Sequence, residues 1–290
     1  MAPRRALKGL GPLGAHVSSA GGTVAAPPRA KALDATAMQL FTKQASRWAE
    51  RECAPEESSA FVAAVSDSGV HVTTAHDSYL INLASPNPLL RSRSLESFVR
   101  ELGRCESLRL DFLVSHPGNF MDDRAAGIAR NAESISEGLA RVPGRTTLLL
   151  ETTAGCGTAI GSTFEELASL IDAVDVSVRA RVGVCVDTAH IFAAGYDLVS
   201  DFDGVWARFS DTIGWPRLHM LHLNDSKVPH GSRRDRHELI GEGAIGAEAF
   251  RRIMTHQRLA PLAKVIETPK LDDAEVTDRR MLSLLRSFAA

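Results

Sequence analysis

The chain alternates short apolar or β-branched runs with helix-patterned stretches, and each run ends in polar residues. The runs are GAHVS at His16, ATAMQLFTK to Lys43, VHVTTAHDS through His76, LDFLVSHPG through His116, TTLLLETTAG through Glu151, RVGVCVDTAH through Asp187, LHMLHLNDS through His222 and AKVIETP through Glu267. Several are apolar at nearly every position, as strands buried on both faces are. Stretches such as SLESFVRELGRCESL, FEELASLIDAV and AEAFRRIMTHQRL, which lie between them, read as helices. This alternation predicts right-handed βαβ units and a parallel sheet.

The polar residues that close successive runs stand 27 to 45 residues apart, which fits eight β/α units. The predicted fold is therefore α/β, a single-domain (β/α)8 TIM barrel whose last helix runs from about Asp272 to the C-terminus. In that fold the loops after the strands converge on one mouth, and chemistry sits there. A doubly wound open sheet is the alternative, but it would struggle to bring all eight strand ends together. Residues 1–12, with Arg4, Arg5 and Lys8, read as a basic, flexible extension, and residues 13–290 as the barrel.

Composition narrows the class. A chain of 290 residues, 44% hydrophobic, can bury one large core without disulfides or a structural metal. That apolar content and a net charge of −2 exclude a disordered chain. No stretch approaches the ~20 apolar residues of a membrane helix. Cys53, Cys105, Cys156 and Cys185 are scattered without a CxxC pair, which argues for reduced thiols and against a cysteine-ligated zinc. No apolar segment follows the basic N-terminus, so a secretory signal is not expected. The expected location is the cytoplasm, or an organelle or nucleus if the source is eukaryotic. The acidic balance gives no support of its own for nucleic-acid binding.

Two motif-like signals carry little. Gly241, Gly243 and Gly246 match GxGxxG but follow the polar DRHELI rather than a strand, so a flexible loop at the mouth is expected there instead of a dinucleotide site. No GxxxxGK[ST] loop occurs, and no nucleotide cofactor is expected. His237-Glu238 begins like HExxH, but Gly241 stands where the second His belongs.

The chemistry lies in nine residues at or beyond strand ends: His76, His116, Glu151, Asp187, His190, His222, Asp235, His237 and Glu267. Any one of them alone reads as an ordinary hydrogen-bonded or solvated group. Together they offer the imidazole and carboxylate donors that suit zinc and related divalent ions. Four carboxylates gathered at one mouth without cations would repel one another and lose hydration. Asp235 and His237 point the same way in an extended segment, and Asp187 and His190 flank a turn. Nine donors exceed one tetrahedral site, so two or three ions are expected. His219, of opposite parity to His222, is expected to face the helical layer. His71, His230 and His256 read as structural or surface groups, and His16 as lining the mouth.

GAHVSSAGG, HDSYLINLASP, SHPGNF, LLLETTAGCGTAIGSTFEEL, RVGVCVDTAHIFAAGYD, LHLNDSKVPHGSRRDRHELIGEGAIG and VIETP together resemble the endonuclease IV family of apurinic/apyrimidinic endonucleases, from Gly14 to Pro269. The resemblance implies a TIM barrel with three Zn2+, Mn2+ being an alternative at one or more sites. It implies cleavage of double-stranded DNA on the 5′ side of abasic sites, leaving 3′-hydroxyl and 5′-deoxyribose phosphate ends, by a monomer with no membrane association. Carried over by motif, His76, His116 and Glu151 would hold the first ion. Glu151 would bridge to a second, held also by Asp187, His222 and Glu267, and His190, Asp235 and His237 would hold the third. Glu151 and Glu267 are the catalytic candidates.

Tyr79 and Leu80 match residues that family members insert into the duplex. His16, Lys43, Arg47, Arg233 and Arg236 are the further DNA-contact candidates, with Lys227 and Arg234 on the same rim. Three zinc ions would reverse the sign of the net charge and concentrate the positive field at the mouth. There are departures: Ser46 stands where the family usually has Arg, Cys156 where Gln is usual, and Pro27 and Pro28 interrupt the expected first helix. A metal-dependent sugar isomerase or epimerase on a xylose-isomerase-like barrel is the competing enzyme, but it has no need of the third ligand group. A catalytically silent DNA-binding relative would be expected to have lost ligands, and none is missing.

Overall fold

The computed structural model describes residues 9–290, so Arg4, Arg5 and Lys8 of the expected extension lie outside the described residues. Leu10 already packs against the core, and Gly11 donates its N–H to the Ala260 carbonyl at 2.7 Å. Seven parallel strands follow in order: β1 (Leu13–His16), β2 (Ala37–Leu40), β3 (Val72–His76), β4 (Phe112–Ser115), β5 (Thr147–Glu151), β6 (Val182–Asp187) and β7 (Leu218–His222). β8 (Asp225–Ser226) and β9 (His237–Glu238) form a separate antiparallel pair, and β10 (Ala263–Ile266) closes the barrel between β7 and β1. The eight-stranded parallel barrel expected from the run spacing is the architecture found.

Around it lie α1 (Ala26–Ala32), α2 (Pro55–Ser68), α3 (Pro88–Ser107), α4 (Arg124–Arg141), α5 (Phe164–Ala173), α6 (Thr188–Ala194), α7 (Phe202–Thr212), α8 (Ala247–Thr255) and α9 (Ala274–Phe288). Side-chain caps start several of them: Asn87 accepts from the Leu89 and Leu90 amides, Asp123 from Ala126 and Asp273 from Val276. Pro27 and Pro28 do not interrupt the first helix. They occupy the first turn of α1, where an amide would have no intrahelical partner.

Strand alternation divides the core in two. Ile266, Leu150 and Leu221 face outward into a large cluster with Phe98, Phe164 and Phe250 of the helices. Ala37, Val114, Leu149, Cys185, Met220 and Val265 fill the barrel interior. Two positions beyond these interior residues come Gln39, His116, Glu151, Asp187, His222 and Glu267. The same parity that fills the barrel therefore aims its polar ends at one point.

One expectation fails on this rule. Val184 pairs with Leu218 and Cys185 with Met220, leaving His219 as an extra residue on β7. The bulge turns His219 into the barrel, 5.7 Å from the Phe112 ring and so close to Gly183 that a Cβ there would sit 2.3 Å from the imidazole. His219 thus faces the interior, not the helical layer.

Candidate metal centre

The nine expected ligands meet at the carboxyl end of the barrel. Glu151 Oε2 lies 3.1 Å from His76 Nε2 and 2.9 Å from His116 Nε2, while Glu151 Oε1 lies 2.8 Å from His222 Nδ1. One carboxylate thereby joins two donor groups. His222 Nδ1 also stands 3.4 Å from Glu267 Oε2 and 4.0 Å from Asp187 Oδ2. Asp235 reaches His190 Nε2 at 3.3 Å and His237 Nε2 at 3.2 Å. Asp187, 3.6 Å from His237, is shared with this third group. Three sets of donors result, each with its atoms within 4.8 Å of one another: His76, His116 and Glu151; Glu151, Asp187, His222 and Glu267; and Asp187, His190 and His237. Asp235 joins the last from the rim, its side chain 49% exposed.

These donors fit divalent cations. His237 Nε2 is buried, has no hydrogen-bond partner and faces two carboxylates. Glu151 and Asp187 are fully buried, a costly state for carboxylates without positive charge beside them. Protons on the histidines answer that cost in the metal-free protein. Burial lowers the affinity of His76 for a proton, but the adjacent Glu151 outweighs it and pushes the pKa up to about 9. For His237, burial is likewise overcome, here by Asp187 and Asp235, and the value again rises to about 9. Burial works to raise the pKa of Glu151, yet His222 and His116 hold it well below the usual carboxylate range.

Each of four rings spends its other nitrogen on a fixed acceptor. His222 Nε2 donates to Gln39 Oε1 at 2.9 Å, His190 Nδ1 to the Thr152 carbonyl at 2.8 Å, His76 Nδ1 to the Asp77 carbonyl at 3.0 Å and His237 Nδ1 to the Glu267 carbonyl at 3.3 Å. Such partners fix tautomer and ring direction and leave the remaining nitrogen for a cation. Asp187 also caps α6: it accepts the His190 N–H at 2.9 Å, which sets His190 one turn into the helix.

Two residues of this arrangement are not among the expected ones. Gln39 donates to Glu267 Oε1 at 2.5 Å besides receiving His222. Asn224 donates to Asp187 Oδ2 at 2.6 Å and accepts the Glu267 N–H at 2.8 Å. Both lie at inward parity just before or beyond a strand end, the one signal that could have found them. His16 lines the mouth as expected, with Nδ1 3.2 Å from Glu267 Oε1 and its ring 4.4 Å from Phe41.

A cavity of about 280 Å³ over the donors is walled by His16, Tyr79 and Lys270 among others, and adjoins one of about 840 Å³ beside the loops that follow β1 and β2. Tyr79 is 65% exposed, edge-on to Phe41 at 5.4 Å, and Leu80 beside it is half-buried. Arg47, Arg233, Arg236, Lys227 and Arg234 are exposed, as are Ser46 and Cys156. Lys43 differs from its expected place on the rim. β2 ends at Leu40, the chain turns, and the buried Lys43 ammonium lies 3.0 Å from Glu50 and donates to the Arg47 carbonyl at 2.8 Å. It therefore braces the loop that presents Arg47.

The barrel and its ringed donors define a xylose isomerase-like TIM barrel, and that family's model matches residues 27–287. The probable endonuclease 4 of Chloroflexus aggregans is 45% identical over 279 residues, covering 95% of this chain and 96% of that protein. The probable endonuclease 4 of Geobacter sulfurreducens is 41% identical over 278 residues, covering 94% and 93%. The crystal structure of endonuclease IV from Thermus thermophilus superposes with a TM-score of 0.85 at 33% identity, over 96% of this chain and 98% of that one. The chain belongs to the endonuclease IV family of hydrolytic AP endonucleases. A D-tagatose 3-epimerase-like protein, with a TM-score of 0.72 at 17% identity, shares the fold alone.

Proposed function

We propose that the protein is a zinc-dependent DNA-repair enzyme. It hydrolyses the phosphodiester on the 5′ side of an abasic site in duplex DNA and leaves a 3′-hydroxyl and a 5′-deoxyribose phosphate. The convergence of eight of the nine donors into three groups around two shared carboxylates, with Asp235 beside the third, carries this reading. Zinc held there supplies charge neutralisation and Lewis acidity at the scissile phosphate; manganese at one or more sites would supply the same.

The chain's own residues do the rest. Glu151, fully buried between two histidine groups, holds the cluster together. Glu267 is the carboxylate of the second group that lines the cavity, its Oε1 tied by Gln39 and His16 and its Oε2 turned toward His222. In this reading it orients the reacting phosphate and water. Exposed Arg47, Arg233 and Arg236 would contact phosphates and set the register of the duplex, with affinity falling as salt rises. An abasic nucleotide has no base to unstack, so it leaves the helix at little cost. Tyr79, braced by Phe41, with Leu80 is suited to fill the gap it leaves. The curated relatives are bacterial, which fits work on chromosomal DNA in the cytoplasm.

Sugar isomerisation on this barrel would leave the group of His190, Asp235 and His237 without a purpose. A duplex carrying one tetrahydrofuran abasic analogue tests the proposal: the protein should nick it on the 5′ side, lose that activity on prolonged chelation and regain it with added zinc. Full activity of metal-free protein would reject the zinc chemistry.

A further inference from the structure

The GxGxxG segment binds an anion after all, and the anion belongs to the chain. Asp225 is fully buried at the start of β8. Its Oδ2 accepts backbone N–H groups from Gly241 at 2.9 Å, Gly243 at 3.1 Å and Gly246 at 3.2 Å, and its Oδ1 accepts from Ile245 at 2.9 Å and Ser226 at 2.7 Å. Successive amides curled around one negative charge form the kind of nest that elsewhere receives phosphate. The glycines are needed for it: Gly241 and Gly246 have φ of +83° and +76°, and a Cβ on Gly243 would lie 2.5 Å from both Asp225 Oδ1 and the Ser226 carbonyl. The flexible loop expected at residues 241–246 is instead a wrapped turn.

That turn sits at the base of the arm that carries two expected ligands. Asp225 pairs with Glu238 and Ser226 with His237 in the β8–β9 ladder. Ala244 N–H reaches the Ser226 carbonyl at 2.8 Å, and Lys227 N–H reaches that of Arg236 at 2.9 Å. Residues 227–236 run outward between these bonds, tied midway to α6 by the Gly231 and Arg233 N–H groups on the Phe192 and Ala193 carbonyls, and return to bring Asp235 and His237 opposite His190.

We propose that Asp225 is a positioning residue for the third ligand group: an internal anion that shapes the 239–246 turn and, through the β8–β9 ladder, holds His237 and Asp235 in range of His190. The proposal rests on the metal-centre reading above. It separates a clamp on one ion from general support of the fold, because loss of the clamp should release that ion and spare the other two.

Asp225→Ala and Gly243→Ala disturb the nest from its two sides. Elemental analysis of each purified variant should find one zinc fewer per chain than in wild type, with circular-dichroism spectra retained. Amide hydrogen exchange in the metal-free proteins should quicken at least about tenfold across residues 227–238. Asp225→Asn, which keeps one acceptor oxygen, should fall between wild type and Asp225→Ala, and it replaces the latter if that chain does not fold. Wild-type zinc content together with wild-type exchange in the arm overturns the proposal, as does equal loss of all ions. Wild-type protein holding fewer than two ions would instead sink the metal-centre reading, and exchange in the metal-free arm would then still judge the clamp.

Discussion

Gln39 receives the Nε2–H of His222 at 2.9 Å, so the Nδ1 of the same ring is the atom turned toward Glu151. The Gln39 amide also holds Glu267 Oε1, so one uncharged side chain aims two expected ligands of the second group. Gln39→Ala should leave the fold intact and weaken zinc binding by roughly 10- to 100-fold, the usual cost of losing such an orienting partner. Chelator-competition titration measures it. Unchanged affinity would show that His222 and Glu267 are fixed without Gln39.

Glu267→Gln removes the negative charge at the cavity wall but keeps the shape of the side chain. Single-turnover nicking should slow by orders of magnitude while the melting temperature stays near that of wild type. A rate close to wild type would take Glu267 out of the reaction.

Tyr79→Ala tests the proposed wedge, since the ring is exposed and bears on Phe41. Binding to abasic duplex, followed by fluorescence anisotropy, should weaken while zinc content stays the same. Equal loss of both would assign Tyr79 to packing around His76, whose ring lies 6.1 Å away.

What the sequence makes legible follows from how parallel barrels are built. Ligand chemistry sits at strand ends, so His76, Glu151, Asp187, His222 and Glu267 stand out against the apolar runs that precede them. Gln39 escapes notice because a lone amide in AMQL carries no ligand signature, and its role appears only when the barrel closes and brings the ends of β7 and β10 to face β2. Lys43 is misplaced because LFTK reads as a continuing strand, whereas β2 stops at Leu40 and Glu50 draws the ammonium inward. His219 is misplaced because a bulge is a property of pairing between β6 and β7, invisible in either strand alone. The proline pair misleads because its meaning depends on whether it falls inside a helix or on its first turn.

Metal removal should make stability depend on pH in a definite direction. In the metal-free protein His76 and His237 titrate at about 9, above the 6.5 of an exposed histidine. A histidine raised in this way contributes stability that is fully present below its unfolded value and is lost as pH rises through its folded one. Chelated protein should therefore melt at a lower temperature at pH 9.5 than at pH 6.5. Zinc-loaded protein should lack this fall, because bound cations replace the protons. Calorimetry with and without chelator checks it, and a flat profile in the chelated sample would contradict this charge balance.

Arg104 anchors the loop behind Lys43. It donates to Glu101 at 2.6 Å, Glu50 at 2.7 Å and Thr42 at 2.8 Å, and it and Glu101 are both buried. Arg104→Met leaves Glu101 without its cation and should destabilise the protein by about 3–5 kcal/mol in denaturant titration. Loss below about 1 kcal/mol, the range of exposed pairs, would mean that the Arg104–Glu101 pair does not hold the fold together.

The seam of the barrel lies between β1 and β10, its first and last strands in chain order, where Leu13 pairs with Lys264 and Ala15 with Ile266. His16 therefore waits for Glu267, and a ribosome that has not yet released the final strand holds a ring with one wall open. The second donor group is complete only once β10 and the residues after it have left the ribosome and Glu267 has reached His222. A copy cut short before β10 therefore lacks one wall of the barrel and a carboxylate of that group.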